Sequence, residues 1–228
     1  MKRHIPNMIT CCNLLCGCVA VWLATQEAFA YAFLFILAGA VFDFFDGFAA
    51  RRLGVSGPLG IQMDSLADDI TFGLAPSMML FCYLLPLIGW WSLISLLMAA
   101  FSALRLGKFN IDERQTSSFI GLPTPANALF WGSLIVGGGK HLTHHTYGLL
   151  IVLLLIVLSC WILVAEIPLF ALKFKHWGWK DNEVKYIFVL SCIPLLAILG
   201  VSGLAVIIAW YVVLSLFSNR YRSESAVH

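Results

Sequence analysis

Apolar residues run in long blocks along this 228-residue chain, separated by short polar or glycine-bearing stretches. A helix crossing a hydrocarbon core about 30 Å thick needs about 20 apolar residues. On that basis the pattern predicts spans at 8–25, 29–53, 63–84, 88–107, 123–138, 147–165, 183–200 and 202–218. The last two come from one run of 32 residues, "YIFVLSCIPLLAILGVSGLAVIIAWYVVLSLF", which is too long for one pass. It is split at Gly200–Gly203, where glycine weakens a helix. The fifth span is the least regular: Gly121, Pro123 and Pro125 interrupt its start and "VGGGK" ends it. Those prolines either begin the helix, since proline fits a first turn, or break it beside a polar cavity, where irregular backbone is tolerated. Backbone groups in lipid must be satisfied internally, and no alternating pattern of about ten residues suggests a barrel. The expected fold is therefore an all-α, polytopic membrane helical bundle of about eight transmembrane helices, in a single domain over 1–228.

Composition supports this picture and charge orients it. The chain is 61% hydrophobic and only 11% charged, against about 25% charged in soluble domains. With the N-terminus inside, thirteen of the fourteen Lys and Arg fall on the inner side and only Lys140 falls outside. Positive residues favour the cytoplasmic side, so both termini are expected to be cytoplasmic, in the cell membrane. Trp90 and Trp91, and Trp177 and Trp179, suit interfacial anchors. The basic, apolar start resembles a signal peptide, but no convincing cleavage site follows, so it reads as a retained first helix. A net charge of +2 gives no reason to expect nucleic acid as a partner.

Against this apolar background, "FDFFDGFAARR" at 42–52 stands out. Five of the twelve acidic residues, Asp43, Asp46, Asp64, Asp68 and Asp69, fall between positions 43 and 69. An ionisable group at membrane depth is costly and usually faces a partner or a watery cavity. Asp43 and Asp46 lie about 60° apart around a helix, and Asp64 and Asp68 about 40° apart, so each pair lines one face. The loop between them, "RRLGVSGPLGIQM", is short and glycine-rich, and allows the two faces to meet. Converging carboxylates repel unless something positive lies among them. Hard divalent cations, Mg2+ or Mn2+, are natural occupants; a purely interfacial or structural acidic cluster is the alternative. Two such ions suit phosphoryl transfer, and Gly47, Gly60 and Ala50 keep a face open to a nucleotide while Arg51 can bind a phosphate.

The spacing Asp43-x2-Asp46-Gly47-x2-Ala50-Arg51-x8-Gly60-x3-Asp64-x3-Asp68 matches every fixed position of the CDP-alcohol phosphotransferase motif, and the chain resembles that family. The resemblance implies a polytopic helical fold, often a homodimer, with two divalent metals and a CDP-linked lipid donor. It implies metal ligation by Asp43, Asp46, Asp64 and Asp68. Asp68 then serves as general base, and Asp46, Gly47, Ala50, Arg51 and Gly60 line the CDP and pyrophosphate site. Asp69 lies outside the motif and reads as a helix-start charge or a supporting group.

Flanking stretches narrow the acceptor. "IPNMITCCNLLCG", "TFGLAPS", "ALRLGKFN" and "FIGLPTPANA" together resemble integral-membrane phosphatidylserine synthases over roughly the first 130 residues. That resemblance implies transfer of a phosphatidyl group from CDP-diacylglycerol, within membrane lipid, to L-serine, with release of CMP. Lys108 stands where the family commonly has a second arginine before Phe-Asn; it keeps the charge and loses the fork geometry. Arg105, Lys108 and Asn110 are candidates for the serine carboxylate or the pyrophosphate, or are simply inner-side charges. Thr10 and Asn13, one turn apart, either bind nucleotide or serine or pack helices. Glycerol 3-phosphate or an inositol phosphate as acceptor, and a divalent-cation transporter, are the competing readings. Cys11, Cys12, Cys16 and Cys18 read as small packing residues, and His141, His144 and His145 as an outer loop.

Overall fold

In the computed structural model, the described residues are 4–55, 57–111, 119–144, 146–169, 178 and 182–225. At 119–120, 140 and 218–225 only the backbone is described. Lys2, Arg3, Arg114, His145, Lys173, Lys175, Trp177, Trp179 and Lys180, used in the charge, anchor and loop readings, lie outside the described residues.

The chain folds as helices joined by short turns. α1 (His4–Thr25) and α2 (Phe29–Leu53) form an antiparallel hairpin closed at Glu27, the one non-glycine residue with positive φ (56°) among the described residues. Arg51 and Arg52 occupy the last turn of α2, where cations favour the helix dipole. Gly54 then caps that helix in the left-handed conformation (φ 63°). α3 (Pro58–Asp68) starts on proline, which has no N–H to leave unpaired. It runs into a π-helical turn, Asp69–Leu74, and on into α4 (Ala75–Ile88).

Gly89, at φ 58°, reverses the chain into a 3-10 segment (Gly89–Leu96) and α5 (Leu97–Ile111), which packs back against residues 69–74. The helical stretch Pro58–Ile111 covers 54 residues, about 80 Å at 1.5 Å per residue. That is far more than one bilayer thickness, and the reversal at Gly89 resolves the excess.

β1 (Phe119–Ile120) pairs antiparallel with β2 (Pro168–Leu169). The two-residue strands bracket α6 (Thr124–Leu142) and α7 (Thr146–Val164). Pro123 precedes α6 and Pro125 sits in its first turn, so these prolines begin a helix and do not break one. α8 (Glu183–Leu199) and α9 (Ser202–Ser225) are separated at Gly200, φ 55°, which is where the 32-residue apolar run was split. The outcome is an almost wholly helical bundle.

Among the described residues, His4–Thr25, Phe29–Leu53, Pro58–Ile111 and Thr146–Val164 are long and apolar enough to cross a membrane. Their outward faces carry large apolar side chains, such as Trp22, Leu34, Leu154 and Trp161, where a soluble helix would place charge. The core is built by close backbone approach. On Gly17, a Cβ would stand 2.5 Å from Thr71 Oγ1; on Gly39, it would stand 2.5 Å from Thr71 Cγ2. Thr71 is therefore wedged between α1 and α2 at positions only glycine can occupy. α6 joins the core in the same way, with Gly132 against the ring of Phe33 and Trp131 donating to Ser159 Oγ on α7 (3.0 Å). A smaller apolar cluster, Leu122, Leu169, Phe188, Ile207 and Tyr211, ties α8 and α9 to the rest.

Candidate active site

The hairpin turn between α2 and α3 faces one carboxylate-bearing helix toward another, and both lie against α1. Asp43 and Asp46 come from the C-terminal half of α2, and Asp64 and Asp68 from α3. Carboxylate oxygens of Asp43, Asp64 and Asp68 all lie within 4.8 Å of one another. Among the described residues this is the one group of three or more His, Cys, Asp or Glu side chains so arranged. Asp46 is buried one turn along α2 from Asp43 and is not a member of that trio.

α1 supplies the supports. Thr10 Oγ1 donates to Asp46 Oδ2 at 2.7 Å, and Asn13 Nδ2 donates to Asp68 Oδ1 at 3.0 Å. Thr71 Oγ1 donates to the Asn13 carbonyl at 2.9 Å, so the wedge between Gly17 and Gly39 also fixes the turn that carries Asn13. Thr10, whose hydroxyl also lies 3.1 Å from the Pro6 carbonyl, and Asn13 thus direct side-chain donors to the aspartates. That is the arrangement of groups which orient ligating carboxylates.

The remaining expected residues are distributed as follows. Gly47 and Ala50 are half-buried on the helix face of Asp43 and Asp46. Arg51 is exposed and folds back over Gly47, its Nη1 3.3 Å from where a Cβ on that glycine would stand. Gly60 faces Asn7, whose Oδ1 would lie 3.5 Å from a Cβ there; Asn7 was not singled out from the sequence. Arg105 is buried, with its guanidinium within electrostatic reach of Asp68 and 5.8 Å from the Phe109 ring centroid. Lys108 is exposed. Asn110 is exposed and donates to Ser65 Oγ on α3 at 2.9 Å, which holds the end of α5 to the aspartate-bearing helix. The structure therefore brings Thr10, Asn13 and Arg105 to the aspartates and leaves Lys108 at the surface. All seven cysteines are free; Cys16 is buried while Cys11, Cys12 and Cys18 are exposed, so the four in α1 do not converge.

The trio fits a hard cation. Asp64 Oδ1 is buried with no hydrogen-bond partner, and an all-oxygen carboxylate set suits Mg2+ or Mn2+ and not a soft metal. A buried, unpaired carboxylate oxygen beside two others is costly unless positive charge joins it.

Sequence comparison agrees with this geometry. Residues 3–172 match the family model described as CDP-alcohol phosphatidyltransferase, and the chain belongs to that family. Relatives that carry the name CDP-diacylglycerol–serine O-phosphatidyltransferase include these three. The Bacillus subtilis (strain 168) protein is 43% identical over 126 residues, 54% of this chain and 70% of the relative. A Helicobacter pylori (strain 26695) protein is 35% identical over 127 residues, 54% of each chain. The Methanocaldococcus jannaschii protein is 30% identical over 207 residues, 90% of this chain and 88% of the relative.

Proposed function

We propose that this protein is a CDP-diacylglycerol–serine O-phosphatidyltransferase. The observation that carries the reading is the convergence of Asp43, Asp64 and Asp68 oxygens within 4.8 Å on helices whose spacing is that of the family motif. The names of the relatives support serine as the acceptor. In this reading Asp43, Asp64 and Asp68, with Asp46, hold two divalent ions, Mg2+ or Mn2+. Bound there, the ions supply charge neutralisation for the pyrophosphate and the departing CMP.

The chain's own residues do the rest. Gly47, Ala50 and Gly60 leave room for the cytidine nucleotide, and Arg51 meets its phosphate charge. Asp68, oriented by Asn13, accepts the proton of the serine hydroxyl. The serine oxygen forms a bond to the phosphorus bearing the diacylglycerol, the bond from that phosphorus to the bridging pyrophosphate oxygen breaks, and CMP leaves with the electron pair. The single domain spans 1–228, with eight passes and both termini cytoplasmic. The site then opens to the cytoplasm, where CDP chemistry and serine are supplied, and the protein works as a homodimer in the cell membrane.

The test is CMP release from CDP-diacylglycerol by purified protein in detergent, with Mn2+ or Mg2+ and a panel of acceptors. Release with serine and not with glycerol 3-phosphate or inositol phosphate is the expected result. Release only with a phosphate-bearing acceptor overturns the serine reading, and metal flux in vesicles without CMP release overturns the enzyme reading.

A further inference from the structure

A second set of polar groups, none of them in the motif, lies on the turn that follows Asp68 and on α5 and α6, which pack against that turn. Asp69 Oδ1, Ser102 Oγ, Arg105 Nε, Thr124 Oγ1 and both amide atoms of Asn127 are buried with no hydrogen-bond partner. The residues Ser102, Thr124 and Asn127 are at most 1% exposed and Arg105 is 8% exposed. Buried polar groups in folded proteins are normally paired, and each exception calls for a reason. Five residues of this kind on adjoining elements mark a place built to receive something polar.

The elements meet. Residues 69–74, α5 and α6 pack on one another, and Phe72, Met98 and Ala128 share one apolar core there. Asp69 Oδ1 and Ser102 Oγ both lie within 3.3 Å of the point where a Cβ on Gly73 would stand, so glycine keeps that corner open. The π-helical turn directs Asp69 there while Asp68, one residue earlier, stays with the metal-site carboxylates. Arg105 is one turn beyond Ser102 on α5 and within electrostatic reach of Asp68. Thr124 and Asn127 are one turn apart at the start of α6. That start is anchored to the end of α7 by Gly121 N–H to the Ile167 carbonyl (3.0 Å) and Leu122 N–H to the Ile162 carbonyl (3.1 Å).

Building on the serine reading above, we propose that these five residues line an acceptor pocket that recognises the acceptor as a zwitterion. Arg105 takes the acceptor's carboxylate and Asp69 its ammonium, while Ser102, Thr124 and Asn127 complete the hydrogen bonds. One cation and one anion match an amino acid, whose two charges cancel. A phosphate-bearing acceptor would bring two negative charges to one arginine and meet Asp69 as a like charge, so the pocket discriminates by repulsion as well as by attraction. An acceptor held by Asp69 and Arg105 sits beside Asp68, the carboxylate assigned to its hydroxyl proton.

The experiment uses the full chain in detergent with CDP-diacylglycerol and Mn2+, and reads CMP release with L-serine, 3-hydroxypropionate (no ammonium), ethanolamine (no carboxylate) and glycerol 3-phosphate. Asp69→Asn is expected to raise KM for serine at least about tenfold, the scale of a lost hydrogen bond to a charged group, with KM for CDP-diacylglycerol unchanged. The preference for serine over 3-hydroxypropionate should fall by the same factor, and the preference over ethanolamine should hold. Arg105→Gln should reverse that pattern, collapsing the preference for serine over ethanolamine. An equal loss with every acceptor, or an unchanged serine KM, overturns the pocket. If Asp69→Asn does not accumulate as folded protein, Asn127→Ala carries the same KM test, and an unchanged serine KM there overturns the proposal. A wild-type protein that uses glycerol 3-phosphate and not serine overturns the serine reading and this pocket with it. A wild type active on serine whose variants keep its selectivity overturns the pocket alone.

Discussion

The two ends of the molecule use the same material differently. α1–α3 and α7–α9 are both built of apolar helices. In the first group and the π-helical turn that follows it, polar side chains point inward and reach residues far away in sequence: Thr10 to Asp46, Asn13 to Asp68, Thr71 to the Asn13 carbonyl. In the second, hydroxyls turn back to nearby backbone, Ser191 to the Phe188 carbonyl and Ser215 to the Tyr211 carbonyl, and crossing bonds join neutral partners, Trp210 to Ser191 Oγ and Trp131 of α6 to Ser159 Oγ. A hydrogen bond that returns to its own helix makes that helix self-sufficient. One that crosses to another helix fixes the other helix's side chain in place. Crossing bonds occur at both ends, and those from Thr10 and Asn13 differ in ending on carboxylates, which is what builds a site.

The sharpest way to break the comparison is at Asp68. Asp68→Asn keeps the shape and removes the proton acceptor, and general-base catalysis is worth about 10²–10⁴-fold. CMP release with serine should fall by that order, while binding of CDP-diacylglycerol, measured by equilibrium titration, stays. Normal turnover would remove Asp68 from its assigned role. Asp43→Asn takes one oxygen ligand from the trio, and Mn2+ binding followed by electron paramagnetic resonance should weaken with turnover. Wild-type affinity in that variant would mean the carboxylates do not ligate metal.

Effects one step removed should be smaller. Thr10→Val deletes the donor to Asp46 while nearly preserving volume. Loss of a group that orients a ligand costs about 10–100-fold in metal affinity or activity, and the same Mn2+ titration checks it. No change would make Thr10 a packing residue only. Gly17→Ala tests the wedge. Its Cβ would stand 2.8 Å from Thr71 Cα, a backbone atom that cannot swing away. Overpacking of this kind costs about 1–3 kcal/mol, to be read as a lowered unfolding temperature in detergent. Activity should fall as well, because Thr71 holds the Asn13 turn.

Much of this site was legible from sequence because aspartates in an apolar run have few reasons to be there, and helical spacing places each pair on one face. The helix breaks were legible at Gly54 and Gly200, where glycine takes positive φ, whereas the reversal at Gly89 falls inside the expected span 88–107. Other features were hidden for physical reasons. The partners of Thr10 and Asn13 lie 36 and 55 residues away, and no local pattern encodes such a distance. The π-helical turn at Asp69–Leu74 changes the angular step per residue just after Asp68. A 3.6-residue periodicity therefore misassigns the directions of Asp69, Thr71 and Gly73. Ser102, Thr124 and Asn127 are ordinary helix residues in sequence; what distinguishes them is being buried without partners, which only packing reveals. The prolines at 123 and 125 permitted both a helix start and a break, and the ladder at Gly121 and Leu122 decides for the start.

The smallest expected effect lies on α7, and it tests the other side of the comparison. Leu154 is 69% exposed on an outward face, whereas Leu163 on the same helix is 1% exposed. If the outward face meets lipid, Leu154→Ala exchanges one apolar contact for another and should leave the unfolding temperature and CMP release unchanged within error, since exposed substitutions usually stay within about 0.5 kcal/mol. Leu163→Ala opens a cavity in packed protein and should cost about 2–5 kcal/mol. The pair is informative because hydropathy alone gives the two leucines the same weight. Destabilisation by Leu154→Ala together with a shift in oligomer size, measured by light scattering in detergent, would mean that this face meets a second copy of the chain. Destabilisation without such a shift would mean that α7 packs against protein on both sides, and the contrast between a site-building end and a lipid-facing end would fail.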